Sequence, residues 1–104
     1  MKKLLLSSLL LMVFLGAEAY GKGEVIQVTD NNIHQILSSD NLVIIDFYAS
    51  WCKPCRMMTP VIEKLARKYK GRDIVCRCDV DDYGDIATEY GVRNIPNIVF
   101  FLSR

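Results

Sequence analysis

The chain has 104 residues, 51% of them hydrophobic, with 13 basic and 12 acidic side chains and a formal net charge of +1. That length holds one domain and not two, and a charge so close to balance argues against a polyanionic partner such as a nucleic acid. Four cysteines beside a single histidine make the thiols the reactive groups to explain.

The N-terminus carries Lys2 and Lys3, an apolar run from Leu4 to Gly16, and then Ala17-Glu18-Ala19. This is the pattern of a secretory signal peptide, with a core inside the usual ~7 to 15 apolar residues and short of the roughly 20 that span a bilayer. Cleavage is expected after Ala19, which leaves residues 20–104 as one domain, exported to a periplasm or secreted. The alternative is an uncleaved anchor, although no charged stop-transfer pattern follows. Loss of Lys2, Lys3 and Glu18 brings the formal charge to neutrality. Export would place all four cysteines where disulfides persist.

Beyond the leader, apolar periodicity alternates. Residues 24–28 form a short β-rich run, and Thr29 or Asp30 can cap a helix whose apolar positions are Ile33, Ile36 and Leu37. Residues 42–48 are almost wholly apolar, as suits a strand buried on both faces of a parallel sheet. From Cys55 to Tyr69 the apolar positions recur every three or four residues between basic ones, so this is the long helix, and Gly71 stops it. Residues 74–80 read as a strand, 86–90 as a short helix ended by Gly91, and 97–102 as a final strand. The order β-α-β-α-β-α-β predicts an α/β sheet with right-handed crossovers and a site at the carboxyl ends of its parallel strands.

Trp51-Cys52-Lys53-Pro54-Cys55 lies at such an end, between the apolar strand and the long helix. A thiol at a helix start is drawn toward its thiolate by unpaired N–H groups and the helix dipole. Two intervening residues let the second sulfur reach the first and close a small ring that can reopen, so the pair reads as a switch before it reads as a staple.

The segment Asp46-Phe47-Tyr48-Ala49-Ser50-Trp51-Cys52-Lys53-Pro54-Cys55, then Pro60 in the next helix and Gly91-Val92-Arg93-Asn94-Ile95-Pro96 before the last strand, resembles the thioredoxin family. The likeness runs over roughly residues 24–102. It implies a thioredoxin-like fold, a central mixed sheet flanked by helices, and the work of a protein-disulfide reductase. By the same resemblance Cys52 is the nucleophile, Cys55 the resolving thiol, and the two form the redox disulfide. Asp46 matches the buried carboxylate that accepts the Cys55 proton. Its apolar strand should raise its pKa, whereas the plainer alternative is an Asp facing water.

Trp51 would flank the disulfide and help dock substrates, or simply fill core volume. Pro54 accompanies a reducing potential in the family. Lys53 departs from the usual glycine; its charge would favour the thiolate and make the couple slightly more oxidising, unless the side chain is merely solvated. Pro96 matches a cis-proline opposite the redox pair, leaving the Ile95 backbone open to a substrate strand; an ordinary trans proline is the alternative.

Cys76 and Cys78, two apart on a strand, share a face and read as core thiols. A four-cysteine zinc site is disfavoured, because Cys-X-Cys on a strand is a poor half-site. A c-type haem site fails at Arg56, where histidine is required. No metal and no cofactor are expected, and His34 receives no role. Partners implied are disulfide-bearing proteins and a thiol electron donor, of which a membrane carrier is the expected kind, acting on a monomer. The family pattern continues past the final strand with a further strand and a C-terminal helix, so the chain reads as C-terminally incomplete, with residues 98–102 as an open apolar edge. A competing reading is a non-catalytic binding module in which Cys52–Cys55 is a structural bridge.

Overall fold

The computed structural model describes residues 20–102, and the expected leader, residues 1–19, lies outside them. The elements are β1 (Ile26–Gln27), α1 (Ile33–Leu37), β2 (Leu42–Tyr48), α2 (Lys53–Lys68), β3 (Asp73–Asp79), α3 (Gly84–Glu89) and β4 (Asn97–Phe101). They build a four-stranded mixed sheet in the order β1-β3-β2-β4. β1 and β2 pair parallel to β3, whereas β4 runs antiparallel to β2. This is the thioredoxin-like α/β fold that the sequence implied.

β2 is central and buried on both faces, which is why its sequence is a nearly continuous apolar run. Val43, Ile45 and Phe47 point to one face, where Ile74, Cys76 and Cys78 of β3 meet Ile33 and Ile36 of α1 and Ile86 and Ala87 of α3. Ile44 points the other way, into a smaller cluster with Val75 of β3 and Ile62 and Ala66 of α2. Two helices therefore cover one side and α2 the other. On the α2 side Phe100 lies opposite Ile44 yet is 61% exposed, and Met57 and Val61 of α2 are also open to solvent. The apolar edge expected at β4 is thus present among the described residues.

The differences from the sequence reading fall at element ends. β1 has two residues, not five, because after Val28 donates to the Arg77 carbonyl at 2.8 Å the chain turns away. Thr29 and Asn32 bond reciprocally, Thr29 N–H to Asn32 Oδ1 at 2.7 Å and Asn32 N–H to Thr29 Oγ1 at 3.2 Å. That turn delays α1, whose N-cap is Asn32 and not Thr29 or Asp30. α2 begins at Lys53, since Cys52 caps it and Pro54 suits a first turn, where a missing N–H costs nothing. Gly71 and Gly91, at φ of 82° and 73°, supply the left-handed positions that follow α2 and α3.

Among the described residues Phe47 is the largest fully buried side chain, and it lies just before the Cys52 turn. Truncation of Phe47 to Ala should cost about 3 to 5 kcal/mol of stability, read as a lower urea midpoint.

Candidate active site

β2 ends at Tyr48, and a short turn later Cys52 opens α2. Cys52 has extended backbone at φ −84° and ψ 109°, and its Sγ accepts the Cys55 N–H at 3.3 Å. Cys52 and Cys55 are joined in a disulfide with Cα atoms 5.2 Å apart. Cys55 is fully buried and Cys52 retains 6% of its surface, so the first sulfur is the more accessible. Lys53 and Pro54 are exposed on the first turn.

The antiparallel β2–β4 pairing sets Asn97 opposite Phe47, so the residues just before β4 reach the carboxyl end of β2. There the Ile95–Pro96 bond is cis, and Ile95 packs on the cluster of Ala49, Cys52 and Cys55. Trp51 is 68% exposed, which excludes core filling, and its Nε1–H donates to Asp81 Oδ2 at 2.9 Å. The sheet therefore brings Trp51, Cys52, Cys55, Ile95 and Pro96 to one end of the molecule.

Asp46 is fully buried, which disposes of the water-facing alternative. It lies on the α2 side of β2, and the parallel register sets it directly beside Arg77 of β3. Arg77 Nε donates to Asp46 Oδ2 at 2.9 Å, Nη1 to Thr59 Oγ1 at 2.8 Å and Nη2 to the Cys55 carbonyl at 3.1 Å. The guanidinium also stacks 4.0 Å from the Tyr48 ring centre. Asp46 Oδ1 is buried without a protein partner. Burial pushes the Asp46 carboxyl above its ordinary range, and the Arg77 charge and hydrogen bond pull against that rise without cancelling it.

Sequence reading missed Arg77. Its signal was a lone cation in an otherwise apolar strand, Ile74-Val75-Cys76-Arg77-Cys78, which demands a buried partner. Cys76 and Cys78 are free and fully buried on the opposite face, as expected. Burial pushes the Cys76 thiol up to about 12 and, with help from Asp79 and Asp30, the Cys78 thiol up to about 11.

A thioredoxin family model matches residues 24–104. The chain belongs to the thioredoxin family. It is 46% identical over 78 residues to a thioredoxin of Chlorobaculum thiosulfatiphilum, a match covering 74% of this chain and 72% of that one. A thioredoxin of Pseudomonas aeruginosa is 40% identical over 78 residues, with the same shares covered. Among solved structures, a mutant thioredoxin from Halobacterium salinarum NRC-1 superposes with a TM-score of 0.69 at 39% identity, covering 78% of this chain and 71% of that one. The domain is accordingly a disulfide oxidoreductase that exchanges thiols with disulfide-bearing proteins, and Cys52–Cys55 is the disulfide that its fold holds at the exchange site.

Burial of these groups has two measurable consequences. A carboxyl whose pKa is raised by folding stabilises the fold below its unfolded value and withdraws that support as the pH rises through its folded value. The stability difference between Asp46→Asn and the parent should therefore move in favour of the Asn variant from about pH 4 to about pH 8, as measured by urea midpoints. In the reduced protein at neutral pH, iodoacetamide should label Cys52 first and reach Cys76 and Cys78 only on unfolding, which peptide mass spectrometry will show.

Proposed function

We propose that this thioredoxin-family domain reduces disulfides in exported proteins, with Cys52 attacking and Cys55 resolving. The observation that carries the division of labour is Cys52 at the N-cap of α2, where its sulfur accepts the Cys55 N–H and keeps the only exposed surface of the pair. In the dithiol form the same N–H and the start of the helix favour negative charge on Cys52.

The reaction begins when the Cys52 thiolate attacks one sulfur of a substrate disulfide, releasing the other as a thiol and leaving a mixed disulfide. Cys55 then loses its proton to Asp46, attacks Cys52 Sγ, and frees the second substrate thiol as the Cys52–Cys55 bond forms. Two electrons pass from the dithiol to the substrate. Asp46 suits the acceptor role because its raised pKa brings it closer to neutrality and because no protein group occupies Oδ1. Trp51 and the Ile95–Pro96 turn flank the disulfide and form the surface against which an extended substrate segment lies. Lys53, exposed beside Cys52, adds positive charge that favours the thiolate, whereas Pro54 stiffens the turn between the sulfurs.

Export rests on the leader-like residues 1–19, and a reductase outside the cytoplasm needs a thiol donor, for which a membrane carrier is the fitting class. The domain works as a monomer in this reading. Substituting Cys55 with Ser should trap mixed disulfides with protein partners, seen on non-reducing gels, and Cys52→Ser should abolish them; a purely structural bridge would trap none. The Cys52–Cys55 couple should titrate nearer ~−270 mV than ~−120 mV, and the latter value would reassign the domain as an oxidant.

A further inference from the structure

We propose that the end of the domain opposite the redox disulfide is a docking surface for an anionic lipid membrane, which holds Cys52 away from the bilayer. The near-zero net charge of the chain conceals a separation along α2. Cys52 caps that helix at one end, and its 16 residues carry the chain roughly 24 Å to the other. Lys64, Arg67 and Lys68 lie in its last turns, with Lys70 and Arg72 just beyond, and all five are exposed. At the redox end Lys53 and Arg56 are offset by Asp79, Asp81 and Asp82, which lie where β3 leaves the sheet.

The start of the domain brings a sixth cation to the basic end. Gly71 N–H donates to the Gly21 carbonyl at 2.7 Å and the Lys70 stem lies against Gly23, so the exposed Lys22 joins the same cluster. The carboxylates there are already engaged with the two arginines. Asp73 takes Arg72 at 3.1 Å, and Glu24 and Glu63 line a groove with Arg67. Among the described residues Lys22, Lys64, Lys68 and Lys70 have no ion-pair partner. Asp40, in the loop that Asn41 ties to the Arg72 carbonyl, is the one exposed carboxylate left against these four lysines.

Ammonium groups spread around a rounded end suit a plane of diffuse negative charge, toward which each is drawn independently. Their stems lie on the protein, Lys70 against Gly23 and Lys68 with its Nζ 5.5 Å from the Tyr69 ring centre, so the charged heads reach outward. The sequence adds a second argument. The leader-like residues 1–19 join the domain at Tyr20, next to Gly21, so a leader held in a bilayer presents this end to the lipid first. The inference rests on the export reading for its membrane and on nothing in the exchange chemistry.

The test uses the oxidised full chain and vesicles of phosphatidylcholine alone or mixed with phosphatidylglycerol, read by co-sedimentation. The apolar residues 4–16 contribute to both, so the excess affinity for the anionic vesicles reports charge. That excess should shrink between about 0.1 and about 1 M salt, as the screening length falls from about 10 to about 3 Å. Lys68→Gln combined with Lys70→Gln should weaken anionic binding by about twenty-five-fold, about fivefold per charge, whereas Lys53→Gln at the redox end should leave it unchanged. Trp51, the single tryptophan, reports orientation, and its fluorescence should escape quenching by brominated lipid. Equal affinity for both vesicles, an equal loss per charge from Lys53→Gln, or quenching of Trp51 overturns the proposal. The paired lysine variant should reduce a soluble protein disulfide at the parent rate; absence of reduction by the parent itself overturns the functional reading instead.

Discussion

Strand β2 is the constraint on which the site depends. It is hydrogen-bonded on both edges, parallel to β3 and antiparallel to β4, and it is packed on both faces, so no residue in it can shift alone. Its carboxyl end delivers the chain into the Cys52 turn, while the opposed direction of β4 returns Ile95 and Pro96 to the same end. The parallel register with β3 sets Asp46 against Arg77. Cys52, the Ile95–Pro96 turn and the buried Asp46 are thus placed by the pairings of a single strand.

The buried ion pair is retained at a cost. Taking a carboxylate and a guanidinium out of water is expensive, and their mutual attraction commonly fails to repay it against an apolar pair of similar size. Here the carboxyl remains above its ordinary range even with Arg77 at 2.9 Å, so desolvation prevails over attraction. The other carboxyl oxygen, Oδ1, is buried with no partner from the protein, so Arg77 satisfies only one side of the group.

Much of this was legible in the residues. The continuous apolar run named the central strand, the three-to-four spacing named the long helix, and the Cys-X-X-Cys pair with Asp46 and Ile95-Pro96 named the family. Element ends were less legible, since the Thr29–Asn32 turn and the Cys52 cap depend on hydrogen bonds that periodicity does not encode. Arg77 and Asp81 escaped for a different reason. Each finds its partner across the fold, Asp46 at a separation of 31 residues and Trp51 at 30, through register and loop placement that follow from packing.

If this fold makes Cys52, and not Cys55, the thiolate, the difference is measurable in the reduced protein. Titration by thiolate ultraviolet absorbance, compared between the parent and Cys55→Ser, tests it most directly. One thiol should ionise clearly below the ordinary value of about 8.5, and that ionisation should persist in Cys55→Ser. Ionisation of both active-site thiols together at or above that value would contradict it.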